Sequence, residues 1–148
     1  MSECGDRYSV EKKIQMKEKQ ITTLFGKKNE KLGYFELKIC KGTALPFSRI
    51  ENHQILSLLE AEEFGFYHKI ADQTIGGSGF GSTLKKPFDA LKTPPLPSYL
   101  VICWYIPRKR KTTYYIRIKD FVNMATSVER KSCTEKMCKD CAEDIIEL

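Results

Sequence analysis

The residues with the greatest chemical potential lie in one short run, Phe35-Glu36-Leu37-Lys38. In a strand, alternate side chains share a face. Glu36 and Lys38 therefore stand side by side, while Phe35, Leu37 and Ile39 point the other way, into a core. A carboxylate can bind a hard divalent cation, and an ammonium beside it can orient water and stabilise charge developing on a phosphate. The same pair also fits a solvated strand face carrying an ion pair.

Three more polar residues fall where the pattern favours apolar ones. Glu18 follows Ile14 by four residues and precedes Ile21 by three, on the apolar stripe of a helix. Gln54 lies four residues from both Ile50 and Leu58, on the inward face of a second helix. Asp89 follows Pro87-Phe88 just inside a predicted short strand, although aspartate is a poor strand former. Each has a plain explanation: the edge of a drifting stripe, a first-turn residue satisfied by backbone, a turn residue. Together they predict a Glu, a Lys, an Asp, a Gln and a second Glu around one pocket.

The elements that must position these groups follow from periodicity. Val10, Ile14, Ile21, Leu24 and Phe25 predict a helix over 8–28. GYFELKIC predicts a strand over 33–40, followed by a loop, KGTALPF. A helix is expected over 49–64, with Ser48 and Glu51 fitting a capping box at its start. Short strands are expected at 66–71 and 87–92, on either side of a Gly/Ser-rich loop at 76–81 that lacks the Gly-Lys-Ser/Thr ending of a phosphate-binding loop. TPPLP is a stiff connector. YLVICWYI, at 99–106, is the unbroken apolar run of a central strand buried on both faces. TTYYIRIKDF is its hairpin partner across the basic turn PRKRK. These elements give an α/β (α+β) fold, a mixed central sheet flanked by helices.

The 148 residues fit one domain. Its core is expected at about 8–122, and 123–148 reads as a polar tail, helical or loosely attached. Apolar residues make up 41% and charged residues 30%, a globular balance. No run approaches the ~20 apolar residues of a membrane span. The opening MSECGDRYSVEKK lacks an apolar signal core, so a cytoplasmic protein is expected. The net charge of +6 favours polyanionic partners, of which nucleic acid is the commonest. Cys40 and Cys103 read as buried small hydrophobes. Cys133, Cys138 and Cys141 hint at zinc, but they offer three thiols where a structural site takes four ligands.

At this point the residues resemble a known group. Phe35-Glu36-Leu37-Lys38 is similar to the ExK half-motif of the PD-(D/E)XK nuclease superfamily. Gly42-Thr43-Ala44-Leu45-Pro46-Phe47-Ser48 with His53-Gln54 resembles the stretch after ExK in Holliday junction resolvase-like endonucleases of phage and bacterial type. Tyr67-His68-Lys69-Ile70-Ala71-Asp72, with Lys86-Pro87-Phe88-Asp89 further on, resembles their acidic motif. The likeness runs from about Lys17 to Phe121. The motif order is rearranged, because Glu36 precedes Asp89 where the family places its acid first. No Asp lies shortly before Glu36, and Asp72 is the reserve for Asp89.

The resemblance implies a restriction-endonuclease-like core and a metal-dependent DNA endonuclease of recombination or repair. Its substrate would be branched or four-way junction DNA, its cofactor Mg²⁺ or Mn²⁺. Asp89, Glu36 and Glu18 would be the metal ligands, Lys38 would position or activate water, and Gln54 would support the site. Lys85, Lys86, Arg108, Lys109, Arg110 and Lys111 would hold the DNA backbone, a contact that positions without reading sequence. A homodimer and a prokaryotic or phage-infected cytoplasm also come from the likeness. A non-catalytic nucleic-acid-binding module on the same fold and a zinc-stabilised interaction protein are the alternatives.

Overall fold

The computed structural model describes residues 18–70, 88–106, 108–109 and 111–148. The chain is built on a mixed four-stranded sheet of order β1-β5-β6-β8: β1 (Tyr34–Cys40), β5 (Ser98–Trp104), β6 (Thr112–Arg117) and β8 (Asp144–Glu147). β1 and β5 run parallel, and β6 is antiparallel to both β5 and β8. The mixed α+β class expected from the sequence is what the chain adopts.

Every residue of β5 is buried, as an apolar run between two neighbouring strands requires. Its alternation divides the core into two layers. Leu100, Ile102 and Trp104 join Tyr114 and Ile116 on one face, under α2 (Asn52–Phe64), α3 (Ile118–Ser127) and α4 (Glu135–Cys141). Tyr99, Val101 and Cys103 lie on the other face, under the first helix, α1, described over 18–28. α1 packs there through Ile21 against Ile39 and Cys103, and through Phe25 against Phe35 and Tyr115.

The link from β1 to β5 holds β2 (Ala44–Pro46), a 3₁₀ turn at Phe47–Arg49, α2 and a separate hairpin of β3 (Phe66–Lys69) and β4 (Ala90–Thr93). Two glycines permit close backbone approaches at the ends of this arrangement. Gly65 has φ +79° as it leaves α2, and a Cβ there would strike the Thr93 carbonyl. A Cβ at Gly33 would strike the Pro97 carbonyl, the same oxygen that accepts from Tyr34 N–H as β1 begins.

Several expectations are corrected. α2 starts at Asn52, because the capping box is formed by Glu51 and Gln54 instead of Ser48 and Glu51. The loop after β1 contains β2, which pairs with β7 (Ser132–Thr134). The hairpin partner of β5 ends at Arg117, where the chain turns directly into α3. The segment from Asn123 on is no loose tail. Cys133 and Cys138 are fully buried beside Leu45, and β8 completes the sheet. Cys40 and Cys103 are buried, as their apolar surroundings implied. Among the described residues, no helix is long and apolar enough to cross a membrane.

Candidate functional site

Glu36 and Lys38 stand on the same face of β1, the face turned to α2. Lys38 Nζ lies 3.0 Å from Glu36 Oε1, and only 16% of the lysine side chain is exposed. Gln54, in the first turn of α2, donates through Nε2 to the same Oε1 at 2.7 Å. Its own Oε1 accepts the Glu51 N–H at 3.2 Å, so one amide closes the helix cap and fixes the carboxylate. Both bonds fall on Oε1. Among the described residues, Glu36 Oε2 takes no hydrogen bond, and 30% of the side chain is open to solvent.

This arrangement can offer one anionic oxygen to a hard cation while an ammonium stays within reach of whatever binds there. Mg²⁺ is commonly held by one or two carboxylates together with substrate phosphates and water. The donor set fits that minimal mode. It is smaller than an all-protein cage: among the described residues no group of three His, Cys, Asp or Glu could hold a metal ion.

The other expected site residues are distributed differently. Glu18 is exposed on α1, which covers the opposite face of the sheet from Glu36. α1 runs antiparallel to β1, since Ile21 meets Ile39 and Phe25 meets Phe35. Glu18, nearly one turn before Ile21, therefore extends past the end of β1 instead of entering the pocket. Asp89 lies in an exposed bend just before β4, one residue outside the strand expected to hold it. Its carbonyl accepts the Ile70 N–H at 2.8 Å. The hairpin reaches the main sheet at Tyr34, whose hydroxyl bonds Thr93 Oγ1 and donates to the Pro94 carbonyl at 2.8 Å. Asp89 stands four residues before Thr93, about 13 Å along the strand. Its position is thus set by the hairpin and not by the central sheet.

Arg108 and Lys109 are exposed in the turn between β5 and β6, with Arg108 at φ 63°. Lys111 is half-buried, its ammonium 5.5 Å from the Tyr105 ring centre, a cation–π contact. This turn follows Trp104, which is paired with Cys40, so it lies at the same end of the sheet as Lys38. Lys85, Lys86, Arg110, the reserve acid Asp72 and the glycine-rich loop lie outside the described residues. The tail thiols do not gather round one point. Cys133 and Cys138 Sγ are 3.8 Å apart, while Cys141 Sγ contacts Met124 Sδ at 3.7 Å.

Two features escaped the sequence reading. Arg49, exposed in the 3₁₀ turn, places Nη1 3.4 Å from the Ile39 carbonyl, next to Lys38. No periodic signal marks it. The second is an ionic network at the other end of the sheet. Arg117 pairs with Glu62 of α2, and its Nη1 lies 3.8 Å from Glu143, which accepts the Tyr99 hydroxyl at 2.6 Å. The Tyr99 hydrogen bond, helped by the Lys31 ammonium, holds the Glu143 carboxyl below the usual range. Burial and the same bond push Tyr99 up to about 12. Arg117 ending an apolar strand was the available signal.

No protein-family model, curated protein or solved structure matches this chain.

Proposed function

We propose that this protein is a metal-dependent DNA endonuclease, selective for branched DNA of the four-way junction type, acting in recombination or repair. The observation that carries the reading is the convergence of Glu36, Lys38 and Gln54, residues that lie in the ExK-like run and the following stretch that resemble Holliday junction resolvase-like PD-(D/E)XK enzymes. The net charge of +6 and the exposed Arg108 and Lys109 suit a polyanionic substrate.

In this reading Glu36 would hold Mg²⁺ or Mn²⁺ through its carboxylate, which Gln54 keeps in one rotamer. A divalent cation supplies Lewis-acid stabilisation of the phosphate charge. Lys38 orients the attacking water and stabilises negative charge on the phosphoryl oxygens. Asp89, the second acid that the resemblance implies, is carried by the β3–β4 hairpin. Arg108 and Lys109 hold the DNA backbone, with Arg110 and Lys111 of the same basic run and Lys85 and Lys86 of the run before Asp89. The setting is the cytoplasm of a prokaryotic cell or a phage-infected host.

Cleavage of linear duplex, flap and four-way junction substrates, each with and without Mg²⁺, tests the proposal. Mg²⁺-dependent cutting with preference for the junction is expected. Equal cutting of all three would remove the junction selectivity, and no cutting of any would remove the nuclease.

A further inference from the structure

The turn from β7 into α4 brings two thiols into contact. Thr134 ends the strand and caps the helix, its Oγ1 accepting the Met137 N–H at 3.4 Å. Cys133 precedes the cap by one residue, and Cys138 is the fourth residue of the helix. These two positions pack against each other across a helix start, where apolar side chains usually meet. Cysteines occupy both, fully buried, with their Sγ atoms 3.8 Å apart. Among the described residues, no other pair of thiols touches. Cys40 Sγ turns to the Gly42 carbonyl, Cys141 Sγ to Met124 Sδ, and Cys103 lies on the opposite face of the sheet. A second observation marks the pair. Trp104 Nε1 is buried with no hydrogen-bond partner among the described residues, and its N–H lies where it favours a thiolate at Cys138.

We propose that Cys133 and Cys138 form a reversible disulfide, made by hydrogen peroxide, that clamps α4 to β7. The two thiols are unequal. The Cys138 S–H donates to Cys133 Sγ, which holds the Cys133 thiol below its usual range despite burial and pushes Cys138 up. Cys133 is therefore the attacking thiolate. Its sulfur takes one peroxide oxygen as the O–O bond breaks, and the other oxygen leaves as hydroxide and becomes water. The product is a Cys133 sulfenic acid. The Cys138 sulfur, its thiolate favoured by Trp104, then attacks the Cys133 sulfur. The S–O bond breaks, the S–S bond forms, and a second water departs. Two thiols and one peroxide thus give one disulfide and two waters, with both sulfurs oxidised and both peroxide oxygens reduced. The sulfurs close from 3.8 Å to about 2 Å, a movement within the reach of a seven-residue helix. Because β7 pairs with β2, the link ties α4 through the strand to the body of the fold. A dithiol reductant reverses it by exchange. Transient bonds of this kind are the ones a reducing compartment permits.

The inference does not rest on the nuclease reading, since its test reads no DNA cleavage. The folded full chain is treated with hydrogen peroxide, blocked with iodoacetamide in denaturant and digested with trypsin. Cuts after Lys131, Lys136 and Lys139 place Cys133 on the peptide Ser132–Lys136 and Cys138 on Met137–Lys139. The expected product is these two peptides joined by a disulfide, and separate again after dithiothreitol. This map needs no variant. The oxidised chain should melt roughly 5 °C higher and return to its starting value on reduction. Cys138→Ser should halt at the sulfenic acid, trapped by dimedone on Cys133, whereas Cys133→Ser should give no dimedone adduct on Cys138. A link from either residue to any other cysteine would overturn the proposal. So would oxidation confined to Cys141, joined peptides that form only in denaturant, or a melting temperature that the link leaves unchanged.

Discussion

Gln54 Nε2 donates to Glu36 Oε1 at 2.7 Å, tying the first turn of α2 to the middle of β1. One side chain thereby fixes the carboxylate and completes a helix cap. The rotamer of Glu36 is set by an element that would exist for folding reasons alone, which is an economical way to hold a charged group in place. Gln54→Ala should lower thermal stability by about 1 kcal/mol through the lost cap. It should lower cleavage by roughly tenfold to a hundredfold through the freed carboxylate. The split is readable as a fall in kcat at temperatures far below the melting point. Equal loss at all temperatures in step with unfolding would leave Gln54 a cap and nothing more.

The pair Arg117–Glu62 predicts a different kind of loss. Only 10% of the Glu62 side chain is exposed, and among the described residues its buried Oε2 has no hydrogen-bond partner, nor has Arg117 Nε. Arg117→Met strands the carboxylate and should cost about 2–3 kcal/mol in urea unfolding, less than for a fully buried pair because Arg117 is one-third exposed. Adding Glu62→Gln should return most of it. A second substitution that deepens the loss would show that the pair contributes by packing, not by charge.

How much of this was legible in the sequence depends on the range of the interaction. The alternation of β1 puts Glu36 and Lys38 on one face without tertiary information, and Gln54 follows from its helix face. The unbroken β5 run announces a central strand. β2 and β7 could not be read, because each is three residues long and exists through the other, some ninety residues away in the chain. The same pairing hid the role of the C-terminal segment, whose buried residues are cysteines and not long aliphatics. The α2 boundary was ambiguous because Ser48/Glu51 and Glu51/Gln54 both satisfy the capping-box spacing. Glu18 failed for a geometric reason: helical spacing gives a face, but not where the helix ends relative to the strand beneath it.

The C-terminal segment supplies a third prediction. Deleting 132–148 removes β7, α4 and β8, exposing Leu45 and the outer edge of β6. The shortened chain should lose cooperative unfolding, as judged by near-ultraviolet circular dichroism and calorimetry. A truncated chain that still melts sharply would mean the segment is an accessory.

Stability should depend on pH through Tyr99 and Glu143. The Glu143 pKa is lowered in the fold, so its contribution is full above the unfolded value of about 4.3 and is lost as pH falls through the lower folded value. The Tyr99 pKa is raised to about 12, so its contribution is full below about 10 and is lost as pH rises through the folded value. The melting-temperature gap between wild type and Tyr99→Phe should therefore form a plateau at neutral pH and narrow at both extremes. A gap constant from acid to alkaline pH would assign the effect to ring packing.

The most direct test of the central claim is single-turnover cleavage of a labelled four-way junction by the wild type and Lys38→Ala, in Mg²⁺ and after chelation. The account predicts cutting in Mg²⁺ only, reduced roughly a hundredfold or more in Lys38→Ala while junction binding persists. Cleavage that survives chelation, or that is unchanged by Lys38→Ala, would contradict it.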